Sequence, residues 1–157
     1  MSQELKQPIT HDGELKSAID RLENALLTPV LAGELVGWVN TVQVSADDVA
    51  EHLQPFFERL HSDFTEIAKA DNELLYRVQQ MVECEQQLRK QHEEFRRGLN
   101  HLAIRAPRVH SDEAKVADER LKVERQGTAL LTELKRLQAA ASTWLQEAVY
   151  RDRGPVD

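Results

Sequence analysis

The strongest constraint on this chain is one long apolar seam. Leu35, Val39, Val42, Ala46, Val49, Leu53, Phe56, Leu60, Phe64 and Ile67 follow one another at steps of four and three residues. Such steps return each side chain to one face of an α-helix. The seam runs through two local break signals. Ser45-Ala46-Asp47-Asp48 has the form of a helix start, a serine followed three residues later by an acid. Pro55 has no N–H to give and disturbs a helix interior. A loop near Ser45 would break the phase, yet the phase is kept. One helix over about residues 33–69, kinked near Pro55, is the favoured reading. Two antiparallel helices meeting at Ser45 are the alternative.

The rest of the chain reads the same way. Leu15, Ile19, Leu22 and Leu26 mark a short helix over Glu14–Leu27. Thr28 and Pro29 then suit a cap and a first helical turn. A third helix runs from Glu73 to about Ile104 and ends before Pro107. Ser111 or Asp112 is the expected N-cap of the last helix, which reaches about Tyr150. Its seam is Val116, Val123, Gly127, Leu130, Leu134, Leu137, Ala141, Trp144 and Ala148. Gly154 and Pro155 follow as breakers. Short connections make neighbouring helices antiparallel. The expected fold is all-α, an antiparallel up-down four-helix bundle with three long helices and a shorter N-terminal one. Residues 1–12 are polar and expected to fray; residues 13–157 form one domain.

Composition agrees. Six Gly and five Pro in 157 residues leave little material for the turns of an all-β fold. A net charge of −7 repels phosphate backbones, so no nucleic-acid partner is expected. Cys84 is the one cysteine, so no intrachain disulfide can form, as suits a reducing compartment. There is no apolar signal region and no run near the roughly 18 apolar residues of a membrane span. A soluble, cytoplasmic protein with no membrane partner is expected.

The third seam carries two polar residues. Counted from Leu74 it is Leu74, Val78, Met81, Glu85, Leu88, His92, Phe95, Leu99 and Leu102. Folding helix two onto helix three puts His92 level with Glu51–Leu53 and Glu85 with Glu58. Folding helix four back about Pro107 puts His92 level with Val123 and Glu85 with Leu130. On that register Glu51, His52 and His92 could converge, and Gly127 leaves room for the imidazole or a small ligand. A buried ionised Glu85 needs a partner, and Arg59 or Arg89 can supply it. A seam histidine is more often a hydrogen-bonded core residue than a ligand. Cys84 lies between Glu83 and Glu85, which disfavour a thiolate. No Gly-rich phosphate loop, Cys-x2-Cys pair or Gly-x-Ser-x-Gly elbow occurs. No enzyme is expected.

Four segments, taken in order, resemble the hemerythrin-like family of cation-binding helical bundles. They are Pro29, Gly33 and Trp38 in "LLTPVLAGELVGW"; His61, Thr65 and Glu66 in "LHSDFTE"; Leu88 and His92 in "LRKQHEEF"; and Trp144-Leu145, Glu147-Ala148 and Asp152…Gly154 near the end. The last is similar to the ending of one bacterial branch. The resemblance implies a di-iron centre that takes up or senses oxygen, with His61, Glu66 and His92 in metal-ligand places. It departs elsewhere. Leu137 stands where the family has a helix-four histidine, and the seam of the short helix holds no histidine or acid. His61 and Glu66, five residues apart, point about 140° apart on a regular helix. The expectation is a non-enzymatic relative with an eroded site, acting as a binding or structural protein and needing no cofactor. One alternative is a metal- or oxygen-sensing protein that holds iron or another divalent metal in an altered site. The other is a spectrin-like or coiled-coil interaction module.

Overall fold

The computed structural model describes residues 11–69, 72–109 and 112–152. Four α-helices follow in order: α1 (His11–Leu27), α2 (Leu35–Ala68), α3 (Asn72–Val109) and α4 (Ala117–Asp152). A single 3₁₀ turn, Glu113–Val116, precedes α4. The fold is an all-α helical bundle. No described helix is long and apolar enough to cross a membrane.

The long seam is one helix. Nine of its ten expected positions, Leu35 to Phe64, are buried. The side chain of Ile67 lies outside the described residues, as do those of Leu74 and Ala148 and the whole of Ser111. Ser45 starts nothing, because Asp48 is used elsewhere. Its carboxylate accepts from Nε of Arg21 on α1 at 2.9 Å. Pro55 sits inside α2 without ending it. A proline in a helix interior costs about 3 kcal/mol. Burial of Leu53, Phe56, Phe57 and Leu60 around it contributes about 1.5–3 kcal/mol per side chain and outweighs that cost.

Two expectations about helix ends need correction. Thr28 closes α1 instead of opening α2: its N–H and hydroxyl both donate to the Asn24 carbonyl, at 3.1 and 2.7 Å. The connection then turns at Gly33, whose φ of +85° suits glycine, and α2 begins at Leu35. At the other boundary, α3 runs through Pro107 to Val109. Pro107 is exposed in the last turn, where Arg108 favours the helix C-terminus and Ala106 stays packed. Asp112 precedes the 3₁₀ turn and makes no side-chain cap.

That extension moves α4. Val123 and Gln126 lie against Gly98, and Gly127 against Phe95. Arg105 pairs with Glu119, and Arg77 with Glu147 at 2.8 Å. Each α4 partner is about two turns further along than a turn at Pro107 implies. The register of α2 against α3 is close to expectation: Asp47 meets Arg96 at 3.4 Å, and Gln43 donates to Asn100 at 3.0 Å.

The helices pack in a ring, α1 on α2, α2 on α3, α3 on α4 and α4 on α1. The 17 residues of α1 span about half the length of its partners, which have 34 to 38. Among the described residues one half of the bundle therefore has four helices and the other three. At the four-helix end the Gly33 N–H donates to the Glu113 carboxylate at 3.0 Å, tying the two connections together.

At Gly127, α4 comes close to α1 and α3. A β-carbon there would lie 2.7 Å from Cδ1 of Leu26 and 2.9 Å from Cε2 of Phe95. We therefore expect opposite results from two Gly→Ala changes, read by chemical denaturation. Gly37→Ala, with nothing within 4 Å of the new carbon, gains up to about 1 kcal/mol of helix propensity. Gly127→Ala has the same gain offset by about 1–3 kcal/mol of overpacking and comes out neutral to destabilising. Gly127→Leu loosens α1 outright.

Candidate functional site

The two polar residues of the α3 seam have separate fates. His92 is buried among apolar neighbours, and among the described residues no other polar side chain is as deeply enclosed. Its Nε2–H donates to the Ala46 carbonyl of α2 at 2.9 Å. A carbonyl can only accept, so the proton sits on Nε2 in this geometry. The imidazole thus acts as a hydrogen-bonded bridge between two helices. The room expected beside Gly127 is filled by Leu26 and Phe95, so it holds neither the imidazole nor a ligand.

The expected meeting of Glu51, His52 and His92 does not occur. His52 turns toward α1. Its Nδ1 lies 2.8 Å from the Asp48 carbonyl and its Nε2 3.9 Å from a Glu14 carboxylate oxygen. Glu51 is exposed. The cause is angular and axial: His52 flanks the seam on the α1 side, whereas His92 meets α2 at Ala46, nearly two turns nearer the four-helix end.

Glu85 lies at the centre of a different cluster. Its Oε2 is 3.1 Å from Nε2 of His61 on α2. Its Oε1 accepts from Nη2 and Nε of Arg89, at 2.7 and 3.1 Å. The partner is Arg89, one turn along the same helix, and not Arg59. Partial burial alone would raise the Glu85 carboxyl. The hydrogen bonds from Arg89 and then His61, with the charges behind them, outweigh it and hold the group below its ordinary 4.5. Cys84, half-buried beside it, is pushed up by burial and then by the Glu133 carboxylate. A raised thiol is a poor nucleophile.

Of the metal-ligand candidates, His61 meets Glu85, His92 is committed to Ala46, and Glu66 is exposed on another face of α2. The structure brings no two of these three together. Among the described residues no group of three or more His, Cys, Asp or Glu side chains is placed to hold a metal ion. His61 and Glu85 are a bidentate possibility at most. Their pairing was within reach of the sequence, since Glu85 is expected level with Glu58, one turn from His61.

A second feature has no counterpart in the motif reading. At the four-helix end a groove of about 380 Å³ is lined by Pro29, Gly33, Glu34, Gly37, Trp38 and Thr41, among others. Trp38 is buried, and its indole N–H has no partner among the described residues. Leu27, Leu31 and Val36 stand exposed nearby. Their absence from every seam is the sequence signal that marks them.

The Glu85 cluster has a defined pH signature. A carboxyl held low in the folded state contributes stability that is complete above its unfolded value. That stability is lost as pH falls through the lower folded value. The gap between wild type and Glu85→Gln, measured by denaturation at several pH values, should be full near pH 7 and shrink below about 4.5. His92→Leu should cost only about 0.5–1.5 kcal/mol, because the Ala46 carbonyl keeps its place in the α2 ladder.

Compared with known proteins, the chain matches no family model, and no curated protein and no solved structure is similar to it.

Proposed function

We propose that this chain is a non-enzymatic helical bundle that works by binding a partner protein at its four-helix end. One observation carries the reading: where apolar surface is left exposed. Among the described residues Leu27, Leu31, Val36, Val44, Ile104 and Leu121 are all exposed in that half of the bundle, against Leu75 and Tyr76 in the other. Leu27, Leu31 and Val36 follow one another through the end of α1 and the start of α2, and apolar exposure concentrated in this way marks interaction surface more often than single scattered residues do. The interior supports the same view, since its buried polar residue His92 is occupied by a backbone carbonyl. The separate α1 argues against a three-helix spectrin-like module. Ancestry among hemerythrin-like bundles is compatible with this reading and adds no residue to it.

The test uses a photo-crosslinking residue at Leu31 and, separately, at Gln86 in the exposed face of α3. Discrete adducts from position 31 alone are expected. They should disappear when Leu27→Asp/Val36→Asp is added beside the crosslinking residue, a double change whose stability should stay within about 0.5 kcal/mol of wild type because both sites are exposed. Equal adducts from both positions, or adducts that survive the double change, would contradict the proposal.

A second reading, a metal- or oxygen-sensing bundle, is supported by His61 and Glu85, an imidazole and a carboxylate from facing helices 3.1 Å apart. Iron or zinc bound at that pair would displace Arg89 from the carboxylate. Elemental analysis of protein purified without a metal-affinity tag separates the two readings. The binding-bundle proposal expects no stoichiometric metal; about two irons per chain, the content of a di-iron centre, would favour the second.

A further inference from the structure

The groove beside Trp38 has a charge signature that selects its occupant. No Lys or Arg occurs between Arg21 and Arg59, a stretch that holds six acids: Glu23, Glu34, Asp47, Asp48, Glu51 and Glu58. All the lining residues of the groove, from Ala25 to Thr41, fall within it. Two bases reach this side, and both are taken: Arg21 by Asp48 at 2.9 Å, and Lys135 of α4 by Glu23. Glu34 lines the groove, is exposed, and has no side-chain partner among the described residues. The other side of the same end is different. Residues 96–125, in the last part of α3 and the first of α4, hold eight Lys and Arg against five Asp and Glu. The acidity is therefore local to the α1–α2 side and is more than the net charge of the chain.

Apart from Glu34 the groove is apolar and open. The hydroxyls of Thr28 and Thr41 are committed to the Asn24 and Gly37 carbonyls, at 2.7 and 2.9 Å. A β-carbon on Gly33 or Gly37 would meet nothing within 4 Å. Trp38, in its wall, is 6% exposed, and its indole N–H has no acceptor among the described residues.

We infer that the partner docks here through a basic, apolar-anchored segment of protein. An aliphatic or aromatic side chain seats in the groove against Trp38, and a Lys or Arg beside it faces Glu34. This rests on the partner-binding function proposed above and names the chemistry of the partner. A buried anchor supplies most of the affinity in such contacts, and the charge pair supplies selectivity and rate. The docked backbone also brings carbonyls, the acceptor that the indole N–H lacks. A second copy of the chain fits less well. Its basic side lies across the ring of helices from the α1–α2 side, so the contact would run head to tail and could not close into a two-fold dimer.

The test titrates the isotope-labelled full chain with three short amphipathic peptides of one apolar pattern: Leu/Lys, Leu/Glu and Leu/Gln. The Leu/Lys peptide is expected to shift the Trp38 indole N–H and the Gly33, Gly37 and Thr41 amides saturably, with an affinity that falls as salt is added. The other two peptides should leave these signals in place. Glu34→Gln should weaken the Leu/Lys peptide about two- to fivefold, and Glu34→Lys more than that. Equal binding of the Leu/Glu or Leu/Gln peptide at these signals would overturn the basic partner and leave the four-helix-end site standing. Leu/Lys shifts spread over Glu51 and Glu58 with Trp38 unmoved, or no shifts at all, would overturn it too. Groove shifts that follow the concentration of the protein alone would assign the groove to a second copy and likewise overturn it. Crosslinks from position 31 score the wider function separately, and their absence overturns both.

Discussion

The structure depends on the continuity of α2. Its seam packs against both α1 and α3, so a break at Ser45 or Pro55 would have dissolved the register of the whole bundle. Apolar burial carries the helix through both signals, because several large side chains around Pro55 contribute more than the proline costs. Once α2 is straight through, its polar flanks become connecting points. Asp48 meets Arg21 of α1, Asp47 meets Arg96 of α3, and His61 meets Glu85 of α3. Exposed ion pairs of this kind contribute little stability each, and their main effect is to select one register over its neighbours.

The interior then explains why two polar residues tolerate a buried seam. His92 has an acceptor in the Ala46 carbonyl, so its Nε2–H is satisfied across two helices. Glu85 stays charged because Arg89 and His61 reach it while it keeps some contact with water. Each is a different answer to the same cost, that of burying a polar group without a partner. Neither answer leaves a free group aimed at a ligand. What the described residues do leave exposed is outside: apolar side chains at the four-helix end.

Much of the fold was legible in the sequence because burial has a period. Leu15, Ile19, Leu22 and Leu26 line the core as their spacing says, and so do the α2 seam from Leu35 to Phe64 and the α4 seam from Val116 to Ala141. Local signals were less trustworthy where tertiary contacts competed for the same atoms. Ser45 and Asp48 look like a cap, but Asp48 has a partner 27 residues away. Pro107 looks like a stop, but α3 carries it in an exposed last turn and runs on to Val109, and that extension shifts every α4 level. Gly127 looked like space, yet glycine in a seam is equally the mark of a close approach, and only the packing of Leu26 decides which. The site was less legible than the fold. His92 and Glu85 were identifiable as anomalies, but their partners depend on a register finer than one helical turn.

The proposal that carries the account is that the polar seam of α3 serves structure, with His92 committed to Ala46 and Glu85 to Arg89 and His61. Imidazole nitrogen resonances of His92 and His61, followed as zinc or ferrous iron is added, test it most directly. The account predicts the proton of His92 on Nε2, unchanged at one and two equivalents of either metal. Loss of that proton, or a saturable shift of both histidines at stoichiometric metal, would contradict it.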